Sequence, residues 1–151
     1  DRQENQAVYD LLASSLRLLA DGIDPFHVAR HYELALLTLL GFRPELYRCI
    51  ECRSPLAAAP HQFAVAQGGF LCEACRGREP SARVVSVEAQ KYLRALDRGG
   101  LTATVPLRVG EPLRAELEGV LSSYLRHFAE RDLGSLRVLR EMREGAFEAG
   151  G

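Results

Sequence analysis

The chain has 151 residues, 47% of them hydrophobic and 26% charged, with a net charge of -1. That length supports one domain with a real core, or a helical body joined to a small metal-stapled module. The charge excludes a protein working by bulk positive potential, the absence of any run of about 18 apolar residues excludes a membrane-spanning helix, and a Leu- and Ala-rich composition without Trp favours helix over a β-sandwich.

The start, DRQENQAVYD, is polar and acidic, with no basic segment leading into an apolar one, so no signal peptide is expected. It lacks an initiator Met, and the chain is expected to be a fragment or processed form missing an N-terminal domain. Residues 4–20 set Val8, Leu11, Leu12, Leu16 and Leu19 at helical spacing, and Asp21-Gly22 ends the pattern. A second helix follows in DGIDPFHVARHYELALLTLLG, with Asp24 as N-cap, Pro25 at the first position and Gly41 just past the end. Its first half places Phe26, Ala29, Tyr32 and Leu36 on one side. Its second half, Leu34 to Leu40, is apolar nearly all round, as in a helix buried on several faces. His27 and His31 lie one turn apart and lack a third ligand of matching spacing, so a surface or interface pair is expected there rather than a metal site.

Residues 42–85 change character. Pro44, Pro55, Pro60, Gly68, Gly69, Gly77 and Pro80 break the chain, and only QFAVAQ and RVVSV read as strands. Helical pattern returns in SVEAQKYLRALDRG, capped by Ser86 and closed by Gly99-Gly100, and LTATVPLRV reads as an extended piece. In PLRAELEGVLSSYLRHFAERD, Leu113, Leu117, Val120, Leu121, Tyr124, Leu125 and Phe128 fall on one stripe behind Pro112. After Gly134 a last helix turns Leu136, Leu139 and Met142 inward and Arg137, Arg140 and Arg143 outward, interleaved with Glu141 and Glu144; such charged faces are usually solvated. The predicted fold is mainly α: a helical bundle with an inserted small four-cysteine zinc-finger subdomain containing short β-strands. Its parts are 1–42, the first part of the helical domain; 43–85, the zinc-finger insert; and 86–151, the remaining helices.

All four cysteines lie in two CxxC pairs, Cys49/Cys52 and Cys72/Cys75, with nineteen residues between the pairs. Spacing of that order is a zinc-site signature: each CxxC turn points two thiolates at one centre, and two turns complete a tetrahedron. Two disulfides fit poorly, because no secretory signal is present and the helices suffice for folding. A thioredoxin-like redox site needs a single CxxC entering a helix after a strand. Rubredoxin-like iron uses the same ligands and stays open; one Zn2+ per chain is the expected metal. Four thiolates leave no position for water or substrate, so the ion is structural, contributing roughly 10–16 kcal/mol to folding.

Lys91 is the only lysine, so nearly all positive charge is arginine, the better residue for bidentate phosphate contacts; a compositional bias accounts for the same excess. Near the cysteines, Arg43, Arg48, Arg53, Arg76, Arg78 and Arg83 face Glu45, Glu51, Glu73 and Glu79. That surplus of two positive charges matches the two negative charges of Zn2+ on four thiolates. Arg76, Arg78 and Arg83 are the nucleic-acid-binding candidates if the surplus shows on one face. Glycine-rich phosphate loops, HExxH and GxSxG are absent, and no catalytic residues are expected.

Taken in order, DGIDPFHVARHYELALLTLLGFRPELYRCIECRSPL and GGFLCEACRG resemble the C-terminal part of the bacterial recombination mediator family RecO. In that family a helix ending in LLGFxPEL runs into a first CxxC, and GGxLCxxC supplies the second pair. A helix of the type SxEAxxxLRAL follows, and the chain ends on YLxxx…LxSLRxL. Ser86–Leu96, Tyr124-Leu125 and Leu133–Leu139 correspond here, so the resemblance covers nearly the whole chain. Three departures stand out. The glycine often found after the second cysteine is Arg53, the ending is matched loosely by ERDLGSLRVL, and the N-terminal OB-fold domain is missing.

The resemblance implies a non-enzymatic factor of DNA repair and homologous recombination, cytoplasmic and nucleoid-associated. RecO-like proteins bind single- and double-stranded DNA, anneal strands coated with single-stranded DNA-binding protein (SSB), and help RecR load the RecA recombinase. The OB-fold carries much of the DNA and RecR contact, and the helical domain receives the acidic, hydrophobic C-terminal tail of SSB. Some members lack the cysteines, which makes the metal a scaffold. Two other readings use the same finger. GTPase activators of the ArfGAP type set an arginine beside a similar finger, a part open to Arg76 or Arg78; a structural adaptor binds protein alone, without salt-dependent DNA affinity.

Overall fold

The computed structural model describes the backbone of residues 2–149 and the side chains of residues 2–130. Its elements are α1 (Arg2–Ala20), α2 (Pro25–Leu39), β1 (His61–Ala64), β2 (Gly69–Leu71), a 3-10 turn at Glu73–Cys75, β3 (Arg83–Val85), α3 (Val87–Thr104) and α4 (Leu113–Ala149). The protein is mainly helical with one small antiparallel sheet in the order β2-β1-β3, as the sequence predicts. No described helix is long and apolar enough to cross a membrane.

Local signals place the two central helices. Asp24 caps α2 by accepting from Phe26 N at 2.9 Å, and Pro25 stands at its first position. Gly41, at φ 88°, reverses the chain, and the Gly41 and Phe42 N–H groups return to the Thr38 and Leu37 carbonyls. α2 packs against α1, α3 and α4, and it buries Val28, Leu34 and Leu37. Ser86 caps α3 by accepting from Ala89 N. Glu116 of α4 then accepts from Ser86 N (2.8 Å) and Oγ (2.5 Å), tying the two helix starts together.

Three expectations change. Residues 101–104 are helical, not extended: Gly100 takes φ 66°, ψ -158°, so the glycine pair closes the main part of α3 as expected, and a short second helical segment follows across the kink. Gly134 does not interrupt α4, because one glycine costs a helix only about 1 kcal/mol relative to alanine. Residues 113–149 therefore form one helix where two were expected; the side chains of Leu136, Leu139, Met142, Arg137, Arg140 and Arg143 lie outside the described residues. In α1, Val8 and Leu11 are half-buried, but Leu12, Leu16 and Leu19 face solvent.

The sheet is sandwiched. Adjacent residues of a strand point to opposite faces, so Phe63 and Phe70 join the helical core while Ala64 and Leu71 turn towards the cysteines. Phe63 meets Phe70 (5.1 Å) and Tyr124 (5.4 Å) edge-on, Tyr124 meets Phe128 (4.8 Å), and Phe128 stacks on Phe42 at 3.9 Å. Two α3 side chains one turn apart hold the surrounding loops. Gln90 Nε2 donates to Ala59 O and Val85 O, and Arg94 Nε donates to Leu46 O.

Tyr124 also donates its hydroxyl to Phe42 O at 2.8 Å, passing directly over Gly68. A Cβ at Gly68, whose φ is 77°, would sit 2.5 Å from that hydroxyl. Gly68→Ala combines left-handed strain of about 1–2 kcal/mol with loss of the Tyr124 bond at about 1 kcal/mol. Denaturant unfolding is expected to show a loss of about 2–3 kcal/mol for Gly68→Ala and about 1 kcal/mol for Tyr124→Phe.

Candidate metal centre

The first cysteine pair sits on a turn closed by its own backbone. Cys49 N donates to Ser54 O at 2.8 Å and Arg53 N to Cys49 O at 2.9 Å, while Arg48 and Pro55 form an antiparallel bridge. Arg53 adopts φ 65°, the left-handed conformation that explains why glycine suits this position. The turn closes with arginine there all the same. Ile50 N donates to Phe70 O at 2.8 Å, docking this knuckle on β2. The second pair follows β2 directly: Cys72 leads into the 3-10 turn, Cys75 N donates to Cys72 O at 3.1 Å, and Gly77 N donates to Gln62 Oε1 at 2.7 Å.

The four Sγ atoms all lie within 4.8 Å of one another, the one group of three or more metal-ligating side chains found among the described residues. None is in a disulfide; Cys52 Sγ and Cys72 Sγ are 3.6 Å apart, far beyond a disulfide's about 2.05 Å. An ion bound tetrahedrally with sulfur at about 2.3 Å needs sulfur–sulfur edges of about 3.8 Å, so the donor set fits a thiophilic divalent ion. Cys49 and Cys75 are buried, and Cys52 is exposed. At Cys49 burial raises the thiol pKa, but the N–H groups of Cys52, Cys72 and Glu51 outweigh it. The Ser54 hydroxyl, 3.3 Å from its sulfur, and the Ser54 N–H bring Cys52 down to about 6, whereas burial and the neighbouring thiols push Cys75 up to about 12. A dication is what lets four such unlike thiols all ionise together.

Around this centre the candidate arginines go different ways. Arg76 is exposed and pairs with Glu73 at 3.3 Å, Arg78 is exposed on the same knuckle, and Arg83 is held against α4 by Ser123 Oγ at 3.1 Å. His27 and His31 do not converge. His27 is buried, with Nδ1 against the Tyr92 hydroxyl (2.8 Å) and Nε2 against Leu107 O (3.2 Å), correcting the expected surface pair, while His31 faces a groove between α2 and α3.

That groove, of about 530 Å³, escapes sequence reading. Leu34, Ala35, Leu39 and Leu96 give it apolar walls, and Arg43 and Asp97 stand at its edge. Arg43 forks onto Asp97 through Nε (2.8 Å) and Nη2 (2.6 Å), and Tyr47 donates to Asp97 Oδ2 at 2.8 Å. Arg98 and Arg94 lie over the Tyr47 ring at 4.6 and 5.9 Å, and the charge of Arg98 adds to that of Arg43 at Asp97. Burial raises the Asp97 pKa, but the Arg43 fork and the Tyr47 hydroxyl outweigh it and hold the carboxyl below its ordinary value. Fifty-four residues separate Arg43 from Asp97, and neither stands in a recognisable motif.

Elemental analysis of the purified chain is expected to find one divalent ion per chain, with Cys49→Ser reducing occupancy sharply. Chelation should remove hydrogen-exchange protection from β1–β3 while most of the helical circular dichroism persists; a chain that purifies metal-free with its sheet protected overturns the centre. Because the Asp97 pKa is depressed by folding, its stabilisation is present above about pH 4 and is lost as pH falls through the folded value. Asp97→Asn should flatten that acid limb in denaturant titrations run from about pH 5 down to about pH 2.

The family model described as "Recombination protein O C terminal" matches residues 1–137. A curated "DNA repair protein RecO" from Roseiflexus sp. is 39% identical over 144 residues, covering 95% of this chain and 51% of that protein. Its namesake from Desulforamulus reducens is 35% identical over 131 residues, covering 87% and 51%, and one from Halalkalibacterium halodurans is 26% identical over 147 residues, covering 97% and 57%. The chain thus spans about half the length of the curated relatives it matches. No solved structure matches it. With the family model covering most of the sequence, on a helical fold whose four cysteines converge on one centre, this chain belongs to the Recombination protein O C-terminal family.

Proposed function

We propose that this chain is the C-terminal protein-binding module of a bacterial RecO-type recombination mediator, acting in the cytoplasm without catalysis of its own. The α2–α3 groove is the observation that carries this reading. Its apolar walls suit the hydrophobic residues of an acidic peptide tail such as that of SSB. Arg43 at the groove's edge, with Arg98 acting on the same Asp97, suits the tail's carboxylates. Zn2+ is the ion proposed for Cys49, Cys52, Cys72 and Cys75, and it serves residues 43–85 as a brace between the helical parts 1–42 and 86–151. Single- and double-stranded DNA contact falls to the exposed Arg76 and Arg78, with Arg83 beside them in sequence; DNA strand annealing and RecR contact belong to the longer protein.

Fluorescence anisotropy with a labelled SSB-tail peptide tests the groove. Leu39 is 41% exposed on its wall, so Leu39→Asp leaves the fold intact and is expected to weaken peptide binding about tenfold, or about 1.4 kcal/mol. Arg43→Ala should weaken it further and reduce its salt dependence. Labelled single-stranded DNA, measured at two salt concentrations, should bind more weakly than the peptide and lose affinity steeply with salt. Binding to neither ligand sinks the reading for this chain.

A further inference from the structure

The lining of the α2–α3 groove holds less net charge than its arginine suggests. Arg43 and Asp97 are bonded to each other there, and apart from Thr38 the rest of the lining is apolar except for one histidine. Among the described residues that line the groove, His31 is therefore the group whose titration near neutral pH changes its net charge, from zero to plus one.

His31 is placed for a ligand more than for the fold. His27, one turn earlier on α2, is buried with both ring nitrogens bonded. His31 is half-buried and has no hydrogen-bond or ion-pair partner among the described residues. It stands two turns before Leu39, about 12 Å along the helix axis, whereas Arg43 follows the end of α2. The apolar wall thus lies between an imidazole and the Arg43–Asp97 pair. From α3 the groove presents Asp97, from the segment after α2 it presents Arg43, and α1 and α4 contribute no lining residue. Burial is what holds the His31 pKa below its ordinary value, and no charged group contributes to that shift. A carboxylate brought against the ring favours the imidazolium and offsets the effect of burial.

We propose that His31 is a proton-dependent anion contact of this groove, tightening its hold on acidic peptides as pH falls. The proposal rests on the peptide-binding reading of the groove. A bound carboxylate raises the imidazole pKa above its free value. The added affinity is therefore present at low pH and is lost as pH rises through the bound value. Asp97 and the peptide's carboxylates stay ionised above about pH 5, so they do not mimic the effect.

Fluorescence anisotropy of the labelled SSB-tail peptide at constant ionic strength is expected to show affinity at least about threefold higher at about pH 5.5 than at about pH 8. His31→Gln should abolish the difference, and His31→Arg should give the low-pH affinity at both values. His127→Gln, on α4 and outside the groove, should keep the difference. A flat profile, or a pH dependence that survives His31→Gln, overturns the proposal and leaves the groove reading standing. No binding at either pH overturns both. A histidine NMR titration of the unaltered chain does not depend on a variant's folding. Linkage is reciprocal, so the peptide must raise the His31 pKa, and an unchanged value overturns the proposal.

Discussion

A sheet with strands of four, three and three residues cannot hold itself together, and the middle of this chain depends on how its two faces are covered. The pleat divides the work. Phe63 and Phe70 reach the aromatic series Tyr124, Phe128 and Phe42, an ordinary apolar core. On the reverse face, among the described residues, Ala64 and Leu71 pack against Cys49 and Cys75, with Ile50, Leu56, Cys72 and Ala82 partly buried around them. A metal bound by the four cysteines would replace a core on that side, because coordination energy is independent of buried area. Gln90 and Arg94 complete the arrangement by satisfying loop carbonyls that the short strands leave over.

What the sequence made legible was local chemistry. Cysteine pairs converge because each knuckle is built within a few residues, and Asp24 and Ser86 announce helix starts because a cap bonds two or three residues ahead. What stayed hidden was set by distant parts of the chain. The spacing of Leu12, Leu16 and Leu19 is that of a buried face, but only the position of α2 decides which face is covered. Gly99-Gly100 is a stop signal the chain obeys, though helix resumes at once after the kink, whereas at Gly134 the helix continues. The candidate site divided the same way: all four metal ligands were readable, and neither the burial of His27 against Tyr92 nor the Arg43–Asp97 fork was.

The glycines beside the cysteines illustrate how a motif is enforced. Gly68 is required by a tyrosine more than fifty residues away, and Gly69 by the approach of Ile50 and Glu45, whose atoms would lie 3.0–3.2 Å from a Cβ. Both constraints are steric and tertiary, so neither relaxes when neighbouring residues change. The position after the second cysteine differs in kind. Its constraint is a backbone angle alone, which costs a side chain about 1–2 kcal/mol, and Arg53 meets it with a largely exposed side chain that reaches Glu45 Oε1 at 3.8 Å. A glycine excluded by contact is therefore harder to replace than a glycine preferred by conformation.

Metal centre and groove are parts of one structure, joined through Tyr47. Its carbonyl accepts from Leu56 N, closing the base of the first knuckle two residues before Cys49, and its hydroxyl fixes Asp97 on α3. Asp97 in turn fixes Arg43 at the edge of the groove. Residues 43–49 thus run from the groove's arginine to the first cysteine with several anchors: Arg43 on Asp97, Leu46 O on Arg94, Tyr47 on Asp97, and Cys49 N on Ser54 O. Such a segment has little freedom to yield at one end alone. The distance between the cysteines and the groove is no argument against a functional role for a metal there, since an ion bound by the four cysteines would hold in place the segment on which the guanidinium of Arg43 is presented.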